Sequence, residues 1–192
     1  MTEHNEIYSK TILGFWIYLL TDFMMFGALF ATYAVLMGGT YGGPTARDLF
    51  CLPFTLTQTL ILLVGGLTAG LGEIVAKKGK KEATLILFGL TFLLGLAFMG
   101  MELTEFTALT RRGADWQASA FLSAYFTLVG THGIHVIFGL LWILVFMIPV
   151  YRSGLTDVSL RRITCLRMFW QFLNVVWVFI FSLVYLLGVG GV

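Results

Sequence analysis

The sequence predicts an all-α integral membrane bundle of five transmembrane helices, and two observations carry that prediction. The chain of 192 residues is 58% hydrophobic and 11% charged, with a mean hydropathy of +0.91, whereas a soluble domain carries about 25% charged residues. Five apolar runs, at residues 12–37, 50–76, 83–106, 119–150 and 166–188, are each long enough to span, given the ~20 residues that cross a hydrocarbon core of about 30 Å. The connections are too short to hold a further unit, so residues 1–192 read as a single membrane domain.

The first run follows Glu3 and Glu6 rather than a basic segment and is longer than the apolar part of a signal peptide, so it is expected to remain as an anchor. In the second, Pro53 falls in the first turns, where a missing N–H costs little. Its small residues Gly65, Gly66, Ala69, Gly70 and Gly72 invite close helix packing, Gly66 and Gly70 standing at the favoured four-residue spacing. The third run ends on Glu102 and Glu105. The fourth repeats small or polar residues at every fourth position, Ser119, Ser123, Thr127, Thr131, His135 and Gly139, and has Pro149 at its end. The fifth places Gln171 and Asn174 on one face, where amides can bond across helices without burying a charge. Trp16, Trp116 and Trp170 fall near expected interfaces and read as belt residues, whereas Trp142 and Trp177 lie within spans.

Orientation follows from the basic residues. Lys10, Lys77, Lys78, Lys80, Lys81, Arg152, Arg161, Arg162 and Arg167 fall on one side; Arg47, Arg111 and Arg112 fall on the other. The positive-inside rule then places the N-terminus in the cytoplasm and the C-terminus in the periplasm. These short clusters are topological signals and give no nucleic-acid footprint. Cys51 and Cys165 precede spans that start from opposite faces, about 30 Å apart, so both are expected to be free thiols.

Ionisable groups in lipid are costly, about 2.5–3.5 kcal/mol for a central charge on insertion scales, and should face protein. Asp22 lies about ten residues into the first run. Glu73 is four residues from Lys77, the spacing of a surface ion pair. Glu102 with Glu105, and His132 with His135, each share a helix face and predict a buried polar seam between adjacent helices. A metal site is not expected there: the only other histidine is His4 in the N-terminal tail, and no Glu-x-x-His spacing occurs. A haem-copper centre needs histidines from several helices. The chain therefore offers no catalytic, cofactor-binding or metal-binding residue of its own.

Five stretches taken in order, GFWIYLLTDFMMFGALFATYAVL, GGPTARDLFCLPF, GMELTEF, FLSAYFTLVGTHGIHVIFGLLWI and FWQFLNVVWVFIFSLVYLLG, closely resemble subunit III of the haem-copper terminal oxidases, in the five-helix form of bacterial quinol oxidases. The loop GGPTARDLF is similar to that of bo-type ubiquinol oxidases. The resemblance implies a non-catalytic subunit in the bacterial inner membrane, bound to catalytic subunit I and accompanied by subunits II and IV. On that resemblance haem and copper are expected in subunit I, and this subunit is expected to support assembly and stability and to hold phospholipid. The complex it implies oxidises ubiquinol, reduces oxygen to water and contributes to the proton gradient. Asp22 matches the family's carbodiimide-reactive carboxylate, and Glu105, His132 and His135 match motif positions. Gln171 and Asn174 depart from the usual His and Asp, Gly65 and Gly66 from a hydroxyl pair, and Gln58 from a frequent Glu. The candidate structural and lipid-related contacts are thus Asp22, Glu102, Glu105, His132, His135, Gln171 and Asn174. Subunit III of a cytochrome c oxidase or nitric oxide reductase remains an alternative, as does an independent proton-coupled carrier built on Asp22 and Glu102, although no inverted repeat supports the last.

Overall fold

A computed structural model describes residues 2–190, with side chains from Tyr8 onward. The side chains of Glu3, His4 and Glu6, expected in a tail, lie outside that description. The elements are α1 (Thr2–Leu36), a short α2 (Ala46–Leu49), α3 (Leu52–Lys77), α4 (Lys81–Arg111), α5 (Ala120–Ser153) and α6 (Asp157–Ile180). A π-helical turn, Phe181–Leu186, and a last short helix, α7 (Leu187–Gly190), continue α6. Among the described residues the fold is all-α, and five of the helices are long and apolar enough to cross a membrane.

Four helices close on one another in a ring: α3 packs on α4 and α6, and α5 packs on the same two. Helix α1 leans on α5 and α6 from outside. Only 11% of its apolar window is buried, against 50% for α3. Most of its exposed residues within the span are apolar, including Leu13, Trp16, Ile17, Leu20, Phe23 and Met24, which suits a helix facing lipid.

The ring is centred on Trp170, 1% exposed. A Cβ at Gly95 of α4 would lie 2.8 Å from the Trp170 ring, one at Gly139 of α5 3.1 Å, and one at Gly65 of α3 3.5 Å from its Nε1. Three helices thus each give up a side chain so that one indole fits among them. Trp170 is therefore a core residue and not the belt residue expected from its position near a span end; Trp16 and Trp116 do stand exposed. Apolar burial distinguishes little between protein and lipid, so close backbone approach and interhelical polar contacts hold such a ring. One such contact is Thr68 with Thr91, oxygen to oxygen 2.8 Å, between α3 and α4.

Helix ends carry local signals. After α3 and α4 come Gly79 and Gly113, with φ of +74° and +73°. The next residues reach back six-to-one, Lys80 N–H to Val75 O and Ala114 N–H to Leu109 O, the motif that satisfies the last carbonyls and favours glycine at the left-handed position. At the start of α5 and α6, Ser119 and Thr156 accept N–H bonds from Leu122 and Ser159. In the loop before α2, the Thr45 hydroxyl and N–H both donate to Asp48, at 2.7 and 3.0 Å. The hydroxyl first, the backbone N–H second and Arg47 nearby hold that carboxyl below the usual carboxylate range. Arg47 Nε donates to Val189 O, joining this loop to the end of α7.

Candidate functional site

The polar residues fall into three separate groups. The first lies inside the ring, towards the α4 terminus at Arg111. There Tyr185 donates to Glu105 Oε2 at 3.3 Å, and its hydroxyl lies 3.1 Å from that of Tyr125. With the Tyr185 hydrogen committed to a carboxylate, Tyr125 donates to Tyr185, and the three form one relay. Both tyrosines are fully buried. Tyr185 belongs to the π-helical turn, whose extra residue rotates the succeeding side chains relative to a regular helix. Gln58 is close to Glu105 but holds neither amide atom in hydrogen-bond geometry. Glu105 also lines an open pocket of about 310 Å³ with Cys51, Phe54 and Arg112.

One turn away, Glu102 is 2% exposed. Its Oε1 would lie 2.8 Å from a Cβ at position 133, so glycine there admits the carboxyl against α5. Glu102 Oε2 accepts no hydrogen bond. His132 Nε2 lies 3.2 Å from Leu173 O on α6; a carbonyl only accepts, so the imidazole donates. Its ring packs on Phe98 and Trp177, and Trp177 donates from Nε1 to Thr59 at 3.0 Å.

The second group joins α1 to α5. His135 Nδ1 donates to Thr131 O at 2.8 Å, which turns Nε2 towards Asp22 Oδ2, 3.9 Å away. The ring of His135 also meets Phe26 of α1. The single seam expected of two glutamates and two histidines is thus divided. Histidines three residues apart point to different helices, His132 to α6 and His135 to α1, and neither bonds a glutamate.

The third group lies at the basic end. Glu73 meets Lys77 at 2.8 Å and Arg167 Nε at 3.5 Å, and accepts from Thr164 at 3.0 Å. The expected Glu73–Lys77 pair forms, but it is not a plain surface pair: the Glu73 side chain is 10% exposed and is shared with α6. Asn174 packs its amide against Gly66, with Oδ1 unpartnered, instead of forming the expected bond through that atom. Gln171 stands exposed beside it. Sequence reading gave no site role to Tyr125, Tyr185 or Thr59, whose only signal was a polar residue within an apolar run, and it used Arg167 only as a charge that sets orientation.

These donors do not fit a haem or copper centre. The diverging histidines cannot share a metal, and among the described residues no group of three or more His, Cys, Asp or Glu comes together. Cys51 and Cys165 are free.

Over residues 1–189 the chain matches the family model described as cytochrome c oxidase subunit III. The chain belongs to that family. It is 51% identical over 189 residues to the cytochrome bo(3) ubiquinol oxidase subunit 3 of Pseudomonas aeruginosa, covering 97% of this chain and 90% of that one. It is 39% identical over 191 residues to the quinol oxidase subunit 3 of Bacillus subtilis, covering 100% and 94%. It is also 43% identical over 179 residues to the cytochrome c oxidase subunit 3 of a Bacillus species, covering 93% and 86%. Family membership implies a place in a multi-subunit oxidase, and the polar groups of this chain are those of a subunit without a redox centre.

Proposed function

We propose that this chain is the non-catalytic third subunit of a bo-type ubiquinol oxidase in the bacterial inner membrane. The observation that carries this reading is the 51% identity to a bo(3) subunit 3 along nearly its whole length. In this reading the chain associates with a catalytic subunit I that holds haem and copper, and with subunits II and IV. The complex oxidises ubiquinol, reduces oxygen to water and contributes to the proton gradient, while this subunit supports assembly, stability and lipid binding. Residues 1–192 act as a single membrane domain crossing at about 12–37, 50–76, 83–106, 119–150 and 166–188, with the N-terminus cytoplasmic and the C-terminus periplasmic. Asp22, Glu102, Glu105, His132, His135, Gln171 and Asn174 serve as structural and lipid-related polar contacts.

The test is purification of the tagged chain in mild detergent, followed by a reduced-minus-oxidised spectrum and an oxygen-uptake assay. Co-purified haem with ubiquinol-driven uptake is the expected result. A haem-free product that transports protons by itself would overturn the reading. Uptake driven by cytochrome c and not by ubiquinol would move the chain to the cytochrome c branch of its family.

A further inference from the structure

Inside the ring, towards the Arg111 end of α4, polar side chains gather whose bonding among themselves is incomplete. Gln58 of α3 is fully buried, and neither its Nε2 nor its Oε1 has a hydrogen-bond partner. It stands beside Glu105 of α4. Glu102, one turn deeper on the same helix and 2% exposed, finds no partner in the chain for its Oε2. An amide brings two hydrogens and an accepting oxygen, so Gln58 leaves both kinds of bond unmet. Bare polar groups are costly in a protein interior and more so within a bilayer. Native interiors meet that need with ordered water, each molecule making about three bonds.

The surroundings suit such water. Glu102 and Glu105 are three residues apart on one helix, which sets their Cβ atoms about 5–6 Å apart, a span that one water bonded to both carboxyls covers. A way in exists: Glu105 lines the pocket of about 310 Å³ with Phe54, Thr104 and Arg112. Phe54 is one turn above Gln58 on α3, and Arg112 stands exposed just past the end of α4. The other direction is shut. One turn below Glu102, the fully buried Phe98 packs edge-on against both His132 and Trp177. His132 is itself fully buried, with Nε2 committed to the Leu173 carbonyl.

We propose that this end of the four-helix ring is a well of ordered, exchangeable water, entered past Arg112 and Glu105, held by the Gln58 amide and the Glu102 carboxyl, and closed beneath by Phe98 and His132. The water donates to Glu102 Oε2 and Gln58 Oε1 and accepts from Gln58 Nε2. It also joins the Tyr125–Tyr185–Glu105 relay to the aqueous phase at the Arg112 end.

The experiment is radiolytic hydroxyl-radical footprinting of the assembled complex in lipid nanodiscs, mixed rapidly into heavy-oxygen water before the pulse and read by mass spectrometry of this chain. Radicals formed from a bound water oxidise the side chains beside it. After correction for intrinsic reactivity, buried Tyr125 and Tyr185 should be oxidised severalfold faster than Phe88 and Phe146, which are as deeply buried but pack on each other at the basic end, and the tyrosines should take up the heavy oxygen. Gln58→Leu keeps the size of the side chain and removes both amide atoms, so it should lower tyrosine oxidation severalfold; Gln58→Glu should preserve it. Protection of both tyrosines equal to that of Phe88 in the unaltered subunit would overturn the inference, and so would oxidation that Gln58→Leu leaves unchanged. Oxidation without heavy-oxygen uptake would also overturn it, because the well would then be sealed. Fast amide exchange in α5 around Tyr125 would assign the oxidation to local unfolding and overturn it as well. The measurement on the unaltered subunit needs no variant, so it decides even where Gln58→Leu fails to assemble.

Discussion

Glu102 reaches the backbone of α5 because residue 133 is glycine; a Cβ there would stand 2.8 Å from the carboxyl oxygen. Gly133→Ala is therefore expected to destabilise the subunit by about 1–3 kcal/mol, read as a lower midpoint in a thermal aggregation assay of the complex. Glu102→Gln keeps the shape and removes a buried acid whose Oε2 accepts no hydrogen bond. It should match or exceed the parent in the same assay, because an unpaired ionisable group costs more to bury than a neutral amide of the same shape. At Asp22 the partner across the helix boundary is His135, 3.9 Å away. Asp22→Asn retains polar groups on both sides, so ubiquinol-driven turnover should be largely intact, with stability or sustained activity altered by about 1 kcal/mol equivalent. Loss of haem from the complex in this variant would contradict that placement. The candidate residues themselves were legible in the sequence, because ionisable and amide groups are conspicuous in apolar runs. Their partners were not: whether His132 meets a glutamate or the Leu173 carbonyl depends on how each helix is rotated about its axis.

Among the elements, α6 meets the greatest variety of neighbours, and Trp170 is its centre. Trp170→Ala leaves a cavity walled by glycines that cannot fill it, with an expected cost of about 3–5 kcal/mol, measurable as loss of subunit from the purified complex. The loop at α2 offers a milder test. The Asp48 carboxylate is stabilised in the folded loop, so its contribution is present above the unfolded value near 3.8 and is lost as pH falls through the lower folded value. Hydrogen exchange of the Thr45 and Asp48 amides should therefore be unchanged between pH 7 and 5 at matched intrinsic rates and rise only below about 3.8. Asp48→Asn should show the faster exchange at neutral pH.

For the whole molecule, the ring of four helices with α1 laid outside leaves most of α1 and much of the outer faces to lipid or partners. Orientation is open to a direct check through the two free cysteines, Cys51 exposed and Cys165 buried. With the N-terminus in the cytoplasm, a membrane-impermeant maleimide added outside intact spheroplasts should label Cys51 and spare a Cys51→Ala variant. Labelling of Cys51 only after the membrane is opened would reverse the topology. The basic end would then face the periplasm, against the bias of nine Lys and Arg over three.

The all-α class and the five apolar helices follow from the sequence by itself, because a bilayer demands long apolar runs with every backbone group bonded internally. The glycine positions also announced close packing. Tertiary structure decided what the glycines approach. Gly65, Gly95 and Gly139 lie far apart in the chain and converge on one indole only once four helices surround it. It also decided that Tyr185 meets Glu105, through a π-helical turn that no local pattern specifies. Span length is a property of consecutive residues, whereas a polar contact in lipid depends on the relative rotation and depth of two helices, which is set by packing among all of them.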